Sequence, residues 1–201
     1  ISQTLMQLLY LIPPAFMLWN SYGENHSVMV VVVPVIIMAA GQLAGGLAWL
    51  AISGEDAPEL VATAPVSPGQ VMRAKVEAVL SSVALVVAPL LFVTGLLAPM
   101  AALIGTVCVA ASVVSATMIQ LWFRSQAKRS SFRRRQTSSR VATLSEAFSS
   151  ILWAGTGGLW IAGSVAALAV SVLVLCGLAF TWWVSPARQS FSARRAYSRQ
   201  M

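Results

Sequence analysis

Charged residues divide the chain into four long, uncharged and mainly apolar runs. The runs cover residues 1–23, 25–54, 78–123 and 147–187, with lengths of 23, 30, 46 and 41 residues. A helix needs about 20 apolar residues to cross a bilayer, so each of the first two runs fits one crossing. A single helix over either of the last two would be roughly 60–70 Å long, about twice the hydrocarbon thickness. The pattern therefore predicts that both long runs fold back as helical hairpins.

Turn-forming residues lie near the middle of each long run. Thr94, Gly95 and Pro99 mark the first hairpin, and Gly163 and Ser164 mark the second. Helices are expected because a bilayer offers no partner to unpaired backbone groups, and the runs lack the alternation of barrel strands. The chain is therefore predicted to be all-α, a polytopic membrane helix bundle with six transmembrane helices.

Basic residues give an independent prediction of topology. All 13 Lys and Arg residues fall in three clusters: two at 73–75, seven in 124–140 and four in 188–199. Basic residues in short loops stay on the cytoplasmic side, and six crossings place all three clusters there. Both termini are therefore expected in the cytoplasm.

Composition excludes an ordinary soluble domain. The chain is 58% hydrophobic and 9% charged, whereas soluble domains carry about 25% charged residues. The net charge of +7 is explained by cytoplasmic loops that attract anionic lipid headgroups. Nucleic-acid binding is not expected, because Phe132 is the only aromatic residue within the basic stretch 124–140.

The residues that common catalytic and metal sites require are missing from the sequence. There is no P-loop motif, His26 is the only histidine, and Cys108 and Cys176 both lie inside apolar runs. The chain is therefore predicted not to be an enzyme, and to have no catalytic residue, cofactor or metal. Glu77 and Glu146 lie close to basic clusters, so no acid or base is expected at a helix centre, which argues against a self-powered secondary transporter.

Small residues recur inside the apolar runs. Gly41 and Gly45 form a G-x-x-x-G spacing, and residues 155–158 read Gly-Thr-Gly-Gly. Such spacing lets helix backbones approach closely. Packing within the bundle is the first interpretation, and a dimerisation face or a hinge is the alternative.

The connector between the second and third predicted crossings has two helix-start signals. Ser53 and Asp56 have the spacing of a capping box with acidic residues in the first turn, and Pro65 ends that short helix. A second start follows at residues 67–70, Ser-Pro-Gly-Gln. The sequence thus predicts a helix of about two turns held in the cytoplasm, either as a plain connector or as a docking element.

Residues 58–67, followed by Lys75, resemble the signature of permease subunits of ATP-binding-cassette transporters, type-2 exporter family. The matching residues are the pair Glu59-Leu60 and the triplet Pro65-Val66-Ser67, while Asp56-Ala57-Pro58 replaces the family's more common basic-Gly-Thr turn. The resemblance implies that this loop is the coupling helix, which docks on a separate ATPase subunit that binds ATP. The implied coupling residues are Glu55, Asp56, Glu59, Leu60, Pro65, Val66, Ser67 and Lys75.

The resemblance also implies an overall role and a set of partners. Residues 1–201 would be one transmembrane permease domain, and the start at Ile1 instead of Met suggests a fragment or the C-terminal half of a longer permease. Its partners would be the ATPase, a second permease half or a second copy, and membrane lipids. Its implied location is the bacterial inner membrane. The alternatives are a membrane scaffold or assembly protein that moves no substrate, and a secondary transporter. The apolar helices with scattered Ser and Thr suit lipids, drugs or peptides equally as substrate.

Overall fold

A computed structural model describes Phe16, Asn20 and residues 28–53, 67–123 and 140–185. Within these residues the chain forms helices and no strand, so the all-α prediction is confirmed for them. The five helices are α1 (Met29–Ser53), α2 (Pro68–Leu97), α3 (Pro99–Trp122), α4 (Arg140–Ile161) and α5 (Ala166–Val184).

Four of these helices, α1, α2, α3 and α5, are long and apolar enough to cross a membrane. Their length and composition indicate a membrane-embedded protein, because soluble folds rarely contain several such segments. The described residues thus contain four candidate spans where the sequence predicted six. Helix α4 is not among the four, and the first predicted crossing, residues 1–23, lies outside the described residues except for Phe16 and Asn20.

The turn between α4 and α5 lies where the sequence placed it. Gly163 adopts φ 68°, a left-handed conformation that glycine reaches without steric cost. The Ser164 N–H donates to the Leu159 carbonyl (2.9 Å) and the Gly163 N–H donates to the Trp160 carbonyl (3.1 Å). These two bonds form a Schellman motif, which ends α4 and reverses the chain.

The turn between α2 and α3 lies at the end of the predicted stretch 94–99, directly before Pro99. Helix α2 continues through Thr94 and Gly95, and only Ala98 separates it from α3, whose first residue is Pro99. The Thr94 hydroxyl donates to the Leu90 carbonyl at 2.8 Å, so this side chain is satisfied within the helix. Ala98 is extended, with φ −150° and ψ 86°, because a residue before proline avoids the helical region. The proline, and not the Thr-Gly pair, therefore sets the turn.

Helices α1, α3 and α4 pack against one another and form the core of the bundle, while α2 lies against α1 and α3, and α5 lies mainly against α4. More than half of the apolar stretches of α1 and α3 is buried, against 22% in α2 and 17% in α5. Val33 and Ile37 of α1 and Ile119 of α3 are fully buried. At one end, the rings of Trp122 and Trp182 meet edge to face, with centroids 5.2 Å apart. A central three-helix unit thus carries two peripheral helices.

Candidate functional site

Two of the eight predicted coupling residues lie within the described part of the chain. Ser67 and Lys75 lie on described parts of the chain, at the start of α2. The other coupling residues lie outside the described residues: Glu55, Asp56, Glu59, Leu60, Pro65 and Val66.

Ser67 caps α2 as the sequence predicted. The Gln70 N–H donates to the Ser67 hydroxyl oxygen at 3.3 Å, and the Ser67 N–H donates to the Gln70 side-chain oxygen at 3.2 Å. Together the two bonds make a capping box and satisfy backbone N–H groups that the first turn leaves without a helical partner. The capping box thus sets the start of α2 directly after the connector 54–66.

The first turns of α2 are charged, so this helix extends beyond the apolar run that begins at residue 78. Arg73 Nε and Glu77 Oε1 are 2.7 Å apart, and both side chains are exposed. Lys75 is half-buried on the same turns. A charged helical extension of this kind suits the boundary between a bilayer and water.

A polar contact that the sequence analysis did not foresee lies where α1, α3 and α4 meet. The Gln120 side-chain N–H donates to Glu146 Oε2 at 2.6 Å. The Glu146 carboxyl also lies against the backbone of Gly45, where a Cβ atom would overlap it. Because Gly45 has no Cβ atom, the Glu146 carboxyl can lie within the contact between α1 and α4.

One turn earlier on the same face of α1, two hydroxyl groups occupy the space beside Gly41. A Cβ atom there would collide with Ser112 Oγ and Ser150 Oγ. Ser150 is fully buried, and its hydroxyl donates to the Glu146 carbonyl at 3.0 Å. The Ser112 hydroxyl is buried and has no hydrogen-bond partner within the described part of the chain.

A third link joins α3 to α4, because Trp153 Nε1 donates to Ser115 Oγ at 3.1 Å. We call this line of small and polar residues the polar seam. It consists of Gly41, Gly45, Ser112, Ser115, Gln120, Glu146, Ser150 and Trp153. In the structure, the G-x-x-x-G spacing of α1 therefore serves packing within the bundle.

The sequence did contain a signal for the polar seam. Glu146 and Ser150 are four residues apart and share one helix face with Trp153, and Gly41 and Gly45 have the same spacing on α1. The sequence pattern places this acid close to the basic cluster 124–140 and away from a helix centre, but it predicts no contact with another helix. Helix α4 begins at Arg140, so Glu146 lies in its second turn and faces α1 and α3.

A second feature is an open groove of about 370 Å³ between α4 and α5. The Ser149 hydroxyl is buried and has no hydrogen-bond partner among the described residues. None of the residues that line the groove is ionisable, and most are apolar. They are Leu144, Ser145, Phe148, Ser149, Leu152, Val174, Gly177, Leu178, Phe180 and Thr181.

The described residues contain no group of three or more His, Cys, Asp and Glu side chains that could hold a metal ion. Comparison of the chain with protein-family models, with curated proteins and with solved structures finds no match. The function must therefore be argued from the sequence and the geometry.

Proposed function

We propose that the chain is the membrane-spanning permease subunit of an ATP-driven exporter of the type-2 ATP-binding-cassette kind. A separate ATPase subunit would hydrolyse ATP and drive transport. The observation that carries the proposal is the connector 54–66 between α1 and α2, which holds three of the six acidic residues, Glu55, Asp56 and Glu59. The resemblance of residues 58–67 and Lys75 to the family's coupling segment supports the same role.

Physical chemistry favours a protein partner for this connector. The short helix predicted between Pro58 and Pro65 has too few residues to be stable alone in water, so it needs a surface to pack on. Anionic lipid headgroups would repel the three carboxylates of the connector. An ATPase subunit whose surface is complementary in shape and charge would give the short helix a surface to pack on and would not repel the carboxylates.

The positions of the adjoining helices suit a coupling role. The connector leaves α1 at Ser53 and enters α2 at the Ser67 cap. Helix α1 packs against α2, α3 and α4, so a force applied at its end would act on the whole core. In the proposed cycle, closure of the ATPase pushes the connector and tilts α1 and α2 between two packed arrangements.

We also propose six crossings with both termini in the cytoplasm of a bacterial cell. The four apolar helices supply four crossings, and α4 and residues 1–23 would supply the other two. Helix α4 faces α1, α3 and α5, and a helix surrounded by protein can be less apolar than one that faces lipid. Labelling of Ser130→Cys and Ser198→Cys by an impermeant thiol reagent tests this. Labelling from outside the cell at either site would contradict the proposal.

The coupling role is tested with Glu59→Arg and Leu60→Asp in the protein expressed with its ATPase. Each variant should abolish export and release the ATPase during purification, while membrane insertion stays normal. Glu24→Arg is the matched control, because the six-crossing topology puts this acid on the opposite side of the membrane. Wild-type export and ATPase binding in both connector variants would contradict the proposal and favour a scaffold.

One observation favours a second candidate, a proton-coupled secondary transporter. Such transporters keep ionisable groups within the helix bundle, and Glu146 lies between α1 and α3. The two candidates differ in energy source. Export that stops when ATP is depleted at a maintained proton gradient supports the exporter, whereas export that stops only when a protonophore collapses the gradient supports the secondary transporter.

A further inference from the structure

Glu146 has one polar side-chain partner, Gln120, and no basic partner among the described residues. Helices α1, α3 and α5 carry no Asp, Glu, Lys, Arg or His. On α4 itself the only other charged residue is Arg140, the first residue of the helix. Helix α2 packs on α1 and α3 and carries Arg73, Lys75 and Glu77 in its first turns. The three helices that pack against α4, namely α1, α3 and α5, thus present no charged side chain to the carboxyl group.

Glu146 is partly buried, and a carboxylate partly withdrawn from water without a cation is unfavourable, because a single N–H donor replaces only part of its lost hydration. Binding a metal ion would need several further oxygen ligands. One carboxylate oxygen instead faces an N–H donor of Gln120, and the carboxyl contacts the Gly45 backbone. A proton, unlike a metal ion, needs no further ligands, and its binding removes the charge of the carboxylate.

The seam also contains a buried hydroxyl without a partner. Ser112 is 1% exposed, and its Oγ makes no hydrogen bond within the described part of the chain. It shares the space beside Gly41 with Ser150 Oγ, one helical turn from the Glu146 carboxyl along α1. Buried polar groups in native proteins are nearly always hydrogen-bonded. The seam therefore keeps a hydroxyl with unused hydrogen-bonding capacity close to the Glu146 carboxyl.

We propose that the polar seam contains a proton-binding site at Glu146 and that proton binding controls the contact between α1 and α4. Protonation forms an O–H bond on the carboxylate and removes its charge, which lets the neutral group pack against Gly45. Release returns the proton to water and restores the charge, and the ionised group draws α4 away from α1 toward water. The proposal holds whether ATP or an ion gradient drives the protein, because it concerns only the packing of this chain.

The test compares unfolding of the purified chain in detergent at about pH 5 to 9 for wild type, Glu146→Gln and Glu77→Gln. If the folded chain holds a proton that the unfolded chain releases, the wild-type unfolding constant rises by up to about tenfold per pH unit as the proton is lost. Glu146→Gln mimics the neutral acid and should remove this rise. Glu77→Gln changes an exposed acid and should keep it. Parallel curves for wild type and Glu146→Gln would overturn the proposal.

Infrared spectroscopy of the wild type keeps the proposal testable if Glu146→Gln does not fold. The carbonyl band of a protonated carboxylic acid should be present in the folded chain at neutral pH and should vanish on unfolding at the same pH. A folded wild type without this band would show that Glu146 is ionised, and the proposal would be wrong.

Discussion

The three core helices and the two peripheral helices differ in what their surfaces contact. Helices α1, α3 and α4 meet through small and polar side chains, and a Cβ atom at Gly41, Gly45 or Gly157 would collide with a neighbouring side chain. Helices α2 and α5 instead expose large apolar side chains, for example Leu85 at 79% and Phe180 at 64%. In lipid, apolar surface gives no drive to associate, so close packing and hydrogen bonds must hold the core together.

The comparison indicates which positions determine stability and which meet the bilayer. Changes in the core should disturb the packing of several helices at once. Equivalent changes on α2 and α5 should be tolerated, because lipid chains adapt to the altered surface.

The largest effect is expected from truncating a core side chain. Ile37 is fully buried, so Ile37→Ala should leave a cavity and lower the free energy of unfolding by about 2–5 kcal/mol. Leu85→Ala removes an exposed apolar side chain of α2 and should change the free energy by about 0.5 kcal/mol or less. Denaturant titration in mixed micelles measures both, and equal losses would contradict the division into core and periphery.

The next effect comes from enlarging a glycine. Gly41→Val should force Ser112 and Ser150 apart and destabilise the bundle by about 1–3 kcal/mol. Gly46→Val makes the same chemical change on α1, but a Cβ atom at Gly46 meets nothing within 4 Å. The difference between the thermal midpoints of the two variants measures how much the close approach of Ser112 and Ser150 to α1 contributes to stability. If both variants lost the same stability, helix propensity alone would explain the result.

A smaller effect is expected from removing one hydrogen bond of the polar seam. Trp153→Phe deletes the bond to Ser115 Oγ and should cost about 1 kcal/mol. Trp160→Phe, at a half-exposed tryptophan on the same helix, is the control and should be nearly neutral. A cost in the control equal to that of Trp153→Phe would show that ring size, and not the hydrogen bond, matters.

The smallest effect is expected at the exposed ion pair on the first turns of α2. Glu77→Gln breaks the contact with Arg73 and should cost roughly 0.3–0.5 kcal/mol. Added salt screens exposed charges, so the difference from wild type should disappear at high ionic strength. A larger cost that persists in salt would place this pair in a dry environment.

Local signals in the sequence predicted the local features of the fold. The Ser67–Gln70 spacing and Gly163 each act through their own backbone neighbours, so both predictions agree with the structure. Of the residues predicted to form the turn 94–99, Thr94 and Gly95 remain helical because a helix tolerates both, whereas Pro99 constrains the residue before it and sets the turn.

Helix partners could not be predicted in the same way. Every span is apolar on all sides, so the sequence pattern does not show which face meets protein and which meets lipid. The contact of Glu146 with Gln120 joins residues 26 positions apart on different helices. Only the packing of α1, α3 and α4 brings them together.

The central structural claim is that the Gly41 and Gly45 face of α1 packs inside its own bundle against α4. A Cβ atom at Gly41 would lie 3.3 Å from the Ser150 Cβ, close to the separation of about 3.5–4.5 Å found in disulfides. The measurement is mild oxidation of Gly41→Cys with Ser150→Cys, after Cys108→Ala and Cys176→Ala. Gly46→Cys with Ser150→Cys is the control. A disulfide within single chains, formed by the Gly41 pair and not by the control, is the predicted result, whereas a cross-link between two chains, or none, would contradict the claim.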